Sequence, residues 1–261
     1  MTDKFSYDIA FSRNLGFLTK QDQKILKNLS LGIAGAGGDG GLLAERLARF
    51  GVGKLILAEP DVFETANLNR QFACNLKTLN KNKAKVVAQE LKLINPELEI
   101  VVYDKGINNN NIKDFVAQSD IIIDEIEYSL PNFSVMLAQE ARKNNKYVFM
   151  GANIGWGASF FCFSPKGMTF EKYFSYNPTT QTIDLLKYIK NIPSYFDKKM
   201  LKNILQNKIA IPSLSSSVAL VAAILSSHVI LFATKKIKPI IVPNFLFIDS
   251  YLMILEKRSF K

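Results

Sequence analysis

The chain has 261 residues, 48% of them hydrophobic, and carries 33 Lys and Arg against 23 Asp and Glu, a formal net charge of +10. This composition excludes a disordered chain, suffices for one large domain core and favours an anionic partner: a nucleotide, a nucleic acid or a membrane surface. Two cysteines, Cys74 and Cys162, without a CxxC pair exclude a disulfide framework and a four-thiolate zinc site; with no apolar core of signal-peptide length in "MTDKFSYDIAFSRN", a reducing cytoplasm is expected.

Residues 1–30 read as a helical arm. The apolar run 31–34 then precedes "GAGGDGG" (35–41) and a helical pattern to about residue 50. "KLILAE" (54–59) is a second apolar strand, 61–82 a polar loop with short helices, and 83–95 a helix stopped by Pro96. Strands follow at 98–104 and 120–124, separated by a polar loop leading into a helix; a helix at 133–145 and a strand at 146–152 complete the alternation. Strand and helix in turn predict an α/β, Rossmann-like mixed sheet, its parallel core covered by helices on both faces.

From residue 153 the pattern changes. "GASFFCFSP" suggests an antiparallel strand, 166–212 is rich in Lys, Asn and Tyr without a clear period and reads as an inserted crossover, and 238–258 resembles a pair of antiparallel closing strands. Between them "LSSSVALVAAILSSHVILFA" (214–233) carries no formal charge over about the length of a membrane span. Its serines and His228 favour a helix buried in a core or a subunit interface, so no membrane partner is expected. The whole chain, 1–261, is expected to be one domain: arm 1–30, nucleotide-binding core 31–152, and 153–261 for the remaining elements.

A glycine-rich turn between strand and helix lets backbone N–H groups approach phosphates, and the helix N-terminus adds partial positive charge. Tight strand-to-helix packing would use the same glycines. The feature that points to a nucleotide is Glu59, which ends the second strand 19 residues beyond Gly40, where an acid can accept hydrogen bonds from ribose hydroxyls. A nicotinamide dehydrogenase would need little further basic charge there, whereas nucleotidyl transfer must stabilise a triphosphate during in-line displacement. Arg70 in "NLNRQF" and Lys83 in "KNKAK" favour the second.

Taken together, "GAGGDGG", "ILAEPDVFETANLNRQF", "KNKAKV" and "INP", in this order and spacing, resemble the adenylation domain of the ubiquitin-activating superfamily, which includes the ThiF, MoeB and HesA proteins. The resemblance is strong over residues 9–130 and beyond that rests mainly on element order. It implies an ATP-dependent adenylyltransferase: the C-terminal carboxylate of a peptide or a small ubiquitin-like or sulfur-carrier protein attacks the α-phosphate, giving an acyl-adenylate and pyrophosphate. By the same resemblance Gly35, Gly37, Gly38 and Gly40 form the loop under the nucleotide, and Glu59 stands where the family has Asp on the ribose. Asn67, Arg70 and Gln71 match the family's N-x-x-R-Q run, with Arg70 on the phosphates, and Lys83 matches the lysine that neutralises departing pyrophosphate. Arg13 in "FSRN" matches an arginine that reaches an active site, often across a dimer, so a homodimer is implied.

Two departures shape the expectation. The family writes D-x-x-D-N after its fourth strand, the second Asp holding Mg²⁺; here Asp124, Glu125, Ile126, Glu127 and Tyr128 stand there, so Glu127 falls on the metal position and Asp124 is the alternative ligand. Relatives that form a thioester carry a cysteine in the crossover, and many bind zinc through two CxxC pairs; residues 166–212 hold no cysteine, so adenylation without a thioester on this chain, and no zinc, is expected. Cys74 and Cys162 read as packing residues, as do His228 and Trp156, the last being placed where an acyl substrate could also enter. Lysines 198, 199, 202 and 208 read as a solvated face, and 166–212 as a lid over a substrate tail. Two other readings stay open: adenylation and cyclisation of a carboxylate on a tRNA base, which the charge suits, and a non-catalytic ATP-binding partner subunit.

Overall fold

Residues 4–185, 193–205, 208–209 and 211–259 are described by a computed structural model. The arm contains α1 (Tyr7–Ala10) and α2 (Lys20–Lys27), the latter started by a reciprocal cap in which Thr19 and Asp22 satisfy each other's backbone amides. Tyr7 and Asn14 anchor the arm by donating to the carbonyls of Gly51 and Phe50.

Eight strands form one sheet: β1 (Ser30–Ala34), β2 (Lys54–Ala58), β3 (Glu99–Tyr103), β4 (Ile121–Asp124), β5 (Val148–Ile154), β6 (Gly157–Phe163), β7 (Asn244–Asp249) and β8 (Ile254–Ser259), in the order β3-β2-β1-β4-β5-β6-β7-β8. Pairings from β3 to β5 are parallel and those from β5 to β8 antiparallel. Strands β1, β2 and β4 read as unbroken apolar runs because both faces are covered. On one face Ile33 and Ile123 pack in a core shared with α3 (Gly38–Phe50) and α4 (Lys83–Ile94); on the other Ile56 and Ile122 meet Phe115 of α5 (Ile112–Ala117) and Val135 of α6 (Pro131–Lys143). The strand order reverses at β1, which opens a crevice at the carboxyl ends of β1 and β4.

The region 166–212 differs from its expected irregularity. It contains α7 (Phe170–Tyr173), whose aromatic rings pack on Phe161 and Phe163, and α8 (Lys198–Leu205); residues 186–192, 206–207 and 210 lie outside the described residues. Lys199, Lys202 and Lys208 are exposed, and the side chain of Lys198 is outside the described set.

The long apolar helix is α9 (Ser215–Ala233). By length and composition it could cross a membrane, but here it lays Val218, Val221, Leu225 and Val229 against the sheet and α3. At about 1.5–3 kcal/mol for each fully buried side chain, that face secures it. It is half-buried rather than enclosed: Ser215, Ser216, Ala219 and Ala223 stay exposed. His228 lies half-buried, edge-on to Phe160. Trp156 departs from the packing expected of it, for it is 43% exposed at the β5–β6 turn.

Candidate active site

The carboxyl ends of β1, β2, β4 and β5 and the first turn of α3 surround a cavity of about 590 Å³. Its floor is the turn from β1 to α3. Gly35 has φ +97°, and a Cβ there would sit 2.1 Å from the Glu125 carbonyl oxygen; a Cβ at Gly40 would sit 1.9 Å from that of Gly35. These two glycines are required by backbone packing. Gly37 and Gly38 are different, because a Cβ on either meets its nearest atom at 3.6 or 3.4 Å, and both line the cavity. Their bare backbone therefore faces the space where a ligand would lie, at the positive end of a 13-residue helix.

Glu59 clamps this turn. Its Oε2 accepts from Ala36 N and its Oε1 from Asp61 N, each at 3.0 Å, while burial raises its pKa above the usual carboxylate range. Asn67, also buried, accepts from Glu64 N and closes the 65–67 turn; its own carbonyl receives the amides of Arg70 and Gln71. Arg70 is thereby held over Gly38, with Nη1 donating to Ala66 O and Asn69 Oδ1, and among the described residues it pairs with no carboxylate. Lys83, at the start of α4, is buried on the same wall with Nζ 3.2 Å from Oδ2 of the exposed Asp61. Gln71 places Nε2 toward Gly37, and among the described residues its buried Oε1 has no hydrogen-bond partner. Arg70 and Lys83 thus share one cavity with two open glycines.

The two candidate metal residues separate. Glu127 is exposed on the cavity wall. Asp124 is not on the wall: fully buried, it turns toward α6, where its Oδ1 accepts from Ser134 Oγ and Ile126 N, and burial raises its pKa to about 6. Strand alternation is the cause, since Asp124 shares the face of Ile122. Among the described residues its Oδ2 has no hydrogen-bond partner, and it lies behind the cavity wall rather than on it. Arg13 is also off the wall; it is exposed beside the carboxyl end of α3, and the helix, roughly 20 Å at 1.5 Å per residue, separates it from the glycine turn of its own chain. Neither cysteine lines the cavity: Cys162 is buried in β6 and Cys74 is half-buried with Sγ toward Glu64 O.

Sequence reasoning missed an acid pair. Asp39 and Glu125 both line the cavity, and the Asp39 charge raises the cost of ionising Glu125. Burial, followed by the opposing hydrogen bond from Asn153 Nδ2 to Oδ2, leaves the Asp39 pKa raised to about 7; among the described residues its buried Oδ1 has no partner. Glu125 Oε1 accepts from Gly151 N, and burial together with Asp39 pushes its pKa well above the usual range. An Asp inside a glycine run and an acid directly after an apolar strand were the available signals.

The ThiF family model matches residues 11–261. Over 115 residues the chain is 33% identical to tRNA threonylcarbamoyladenosine dehydratase of Bacillus subtilis (strain 168), an alignment covering 44% of this chain and 45% of that protein. It is 34% identical over 102 residues to sulfur carrier protein ThiS adenylyltransferase of Escherichia coli (strain K12), covering 39% and 40%. The chain thus spans less than half the length of these curated relatives. Among solved structures, E. coli MccB with ATP superposes at TM-score 0.71, covering 96% of this chain and 71% of that one at 22% identity. PaaA superposes at TM-score 0.72, covering 99% and 77% at 17% identity. These two likenesses establish the fold.

Proposed function

The chain belongs to the ThiF family, and from that premise we propose that it is an adenylyltransferase, using ATP to activate the C-terminal carboxylate of a peptide or of a small ubiquitin-like or sulfur-carrier protein. The observation that carries this reading is the meeting of Arg70 and Lys83 with the open backbone of Gly37 and Gly38 around a single cavity. Fixed cations are what an α-phosphate under attack and a departing pyrophosphate require, because they meet the developing charge without reorganising. The adenylyltransferase named among the relatives and the ATP in the MccB structure support the same nucleotide.

Magnesium fits the wall in a limited way. Among the described residues no three His, Cys, Asp or Glu side chains gather into a cage, but Mg²⁺ is commonly held by one or two carboxylates with phosphates and water, and Glu127 offers one. A magnesium ion held by Glu127 would neutralise phosphate charge. Arg70 and Lys83 orient the triphosphate, while Glu59 keeps the glycine turn in shape by holding Ala36 N.

In this reading the chain is a homodimer in which Arg13 serves the partner's cavity. Its exposure, and that of the neighbouring Ile9 (76%) and Phe17 (92%), supports an interface on the arm. The acyl group then leaves to an amine or thiol elsewhere, since no thiol lines the cavity among the described residues. Peptide-dependent exchange of labelled pyrophosphate into ATP tests the proposal: exchange is expected with wild type, and none across a carboxyl-terminal peptide panel would reject it. A second reading, adenylation of a carboxylate on a tRNA base, is favoured by the dehydratase relatives and the charge of +10. Salt-sensitive binding of tRNA, with AMP released on its addition, would select it.

A further inference from the structure

Beyond the phosphate end, the cavity continues into a second lobe between β5 and the crossover. Ile154 forms one side; Phe196, Leu201, Ile204 and Ile211 form the other. Helix α8 is built for this position. Leu201 and Ile204, three residues apart, turn inward, while Lys199 and Lys202 stay exposed on its outer side. Asp197 Oδ1 accepts from Met200 N and caps the helix start.

The segment is fastened to the sheet. Tyr195 OH donates to Asp249 Oδ2 at 2.6 Å and accepts from Trp156 N at 3.1 Å. Gly155, at φ +57°, leaves the space these rings fill, since a Cβ there would fall 2.7 Å from Tyr195 Oη and 2.9 Å from a ring carbon of Phe196. The start of the segment, at Tyr195 and Phe196, is therefore held against the β5–β6 turn. Among the described residues, the crossover side chains that line the cavity carry no charge.

Resting on the carboxylate-activating reading above, we propose that this lobe receives an apolar side chain on the last or next-to-last residue of the acyl substrate, so that the chain selects peptides ending in a branched or aromatic residue over a bare Gly-Gly tail and over an acidic one. The geometry follows from the chemistry. A carboxylate oxygen must reach the α-phosphorus beside Arg70 as pyrophosphate leaves, so the residues behind it extend into the adjoining lobe, and an apolar side chain entering it exchanges water for Phe196, Leu201 and Ile204. Burying such a side chain is worth more than tenfold in kcat/KM at the usual transfer energies. An acidic side chain would lose its hydration against an uncharged wall.

Pyrophosphate exchange is measured with hexapeptides identical except for their carboxyl ends: Gly-Gly, Leu-Gly, Gly-Phe, Glu-Gly and Gly-Glu. The Leu and Phe peptides are expected to exceed Gly-Gly by at least about tenfold in kcat/KM and the Glu peptides to fall below it; Leu201→Ala and Phe196→Ala should shrink the Leu-to-Gly ratio. Equal exchange with all five would overturn the apolar preference while leaving carboxylate activation standing. No exchange with any, by wild-type protein that still binds MgATP, would overturn both.

Discussion

Asn153 donates Nδ2 to Asp39 Oδ2 at 2.7 Å, joining the carboxyl end of β5 to the first turn of α3. Ser213 Oγ donates in turn to Asn153 Oδ1 at 2.7 Å, and Asn69 Nδ2 to Ser213 O at 3.0 Å, so one chain of hydrogen bonds ties the glycine turn, the crossover exit and the Arg70 loop together. Removing its middle member should cost stability. Asn153→Ala leaves a buried carboxylate without its donor, and we expect a loss of about 1–3 kcal/mol in denaturant unfolding; an unchanged midpoint would show the relay to be incidental.

Asp39 should also make stability depend on pH. Its pKa rises from 3.8 to about 7, so the native state keeps a proton that the unfolded chain has released. The contribution of Asp39 is then fully present below pH 3.8 and is lost as pH rises toward 7. Melting temperature should fall across that window, and Asp39→Asn should flatten the fall; parallel curves would assign the dependence to Asp124 and Glu125, whose pKa values are raised as well.

The four glycines of the turn should divide into two pairs. Gly40→Ala drives a methyl group to within 1.9 Å of a backbone oxygen and should fail to fold, whereas Gly38→Ala meets nothing closer than 3.4 Å. Gly38→Ala should fold normally yet lose thermal stabilisation by MgATP, because its methyl group enters the cavity.

Arg70→Ala and Lys83→Ala should each lower exchange by about 10²–10³-fold, the usual effect of losing one fixed charge-stabilising group. Melting temperature should fall modestly for Arg70→Ala, because the buried Asp39 loses a favourable nearby charge.

Arg13 gives a test of the dimer. Arg13→Ala and Lys83→Ala proteins should each be inactive, but mixed dimers would carry one intact site, so a 1:1 mixture should recover about a quarter of wild-type activity in a two-fold dimer. No recovery would confine Arg13 to its own chain, where α3 holds it far from the cavity.

The parallel half of the fold was legible because β1, β2 and β4 are continuous apolar runs punctuated by glycine and by Pro96, signals that survive without knowledge of tertiary contacts. Helix α8 was not, although Leu201 and Ile204 stand at helical spacing; the surrounding Lys and Asn masked an inward stripe only two residues wide. At the site, the residues that converge on the cavity were legible from motif order. What escaped was the direction of each carboxylate. Asp124 and Glu125 are neighbours in sequence, yet strand alternation turns the first under α6 and the second into the cavity beside Asp39, and no composition rule records which side of a sheet a strand end presents. Glu59 escaped in part too, since both of its oxygens serve backbone amides as well as lining the pocket.

The most direct test of carboxylate activation is isotope transfer. A peptide that supports exchange, labelled with ¹⁸O in its terminal carboxylate, is incubated with MgATP, the protein and hydroxylamine, which takes the acyl group at its carbonyl carbon and releases AMP, and the nucleotide product is weighed by mass spectrometry. AMP carrying one ¹⁸O is expected, the oxygen having passed from carboxylate to α-phosphate. Unlabelled AMP, or ADP with inorganic phosphate, would contradict acyl-adenylate formation at this site.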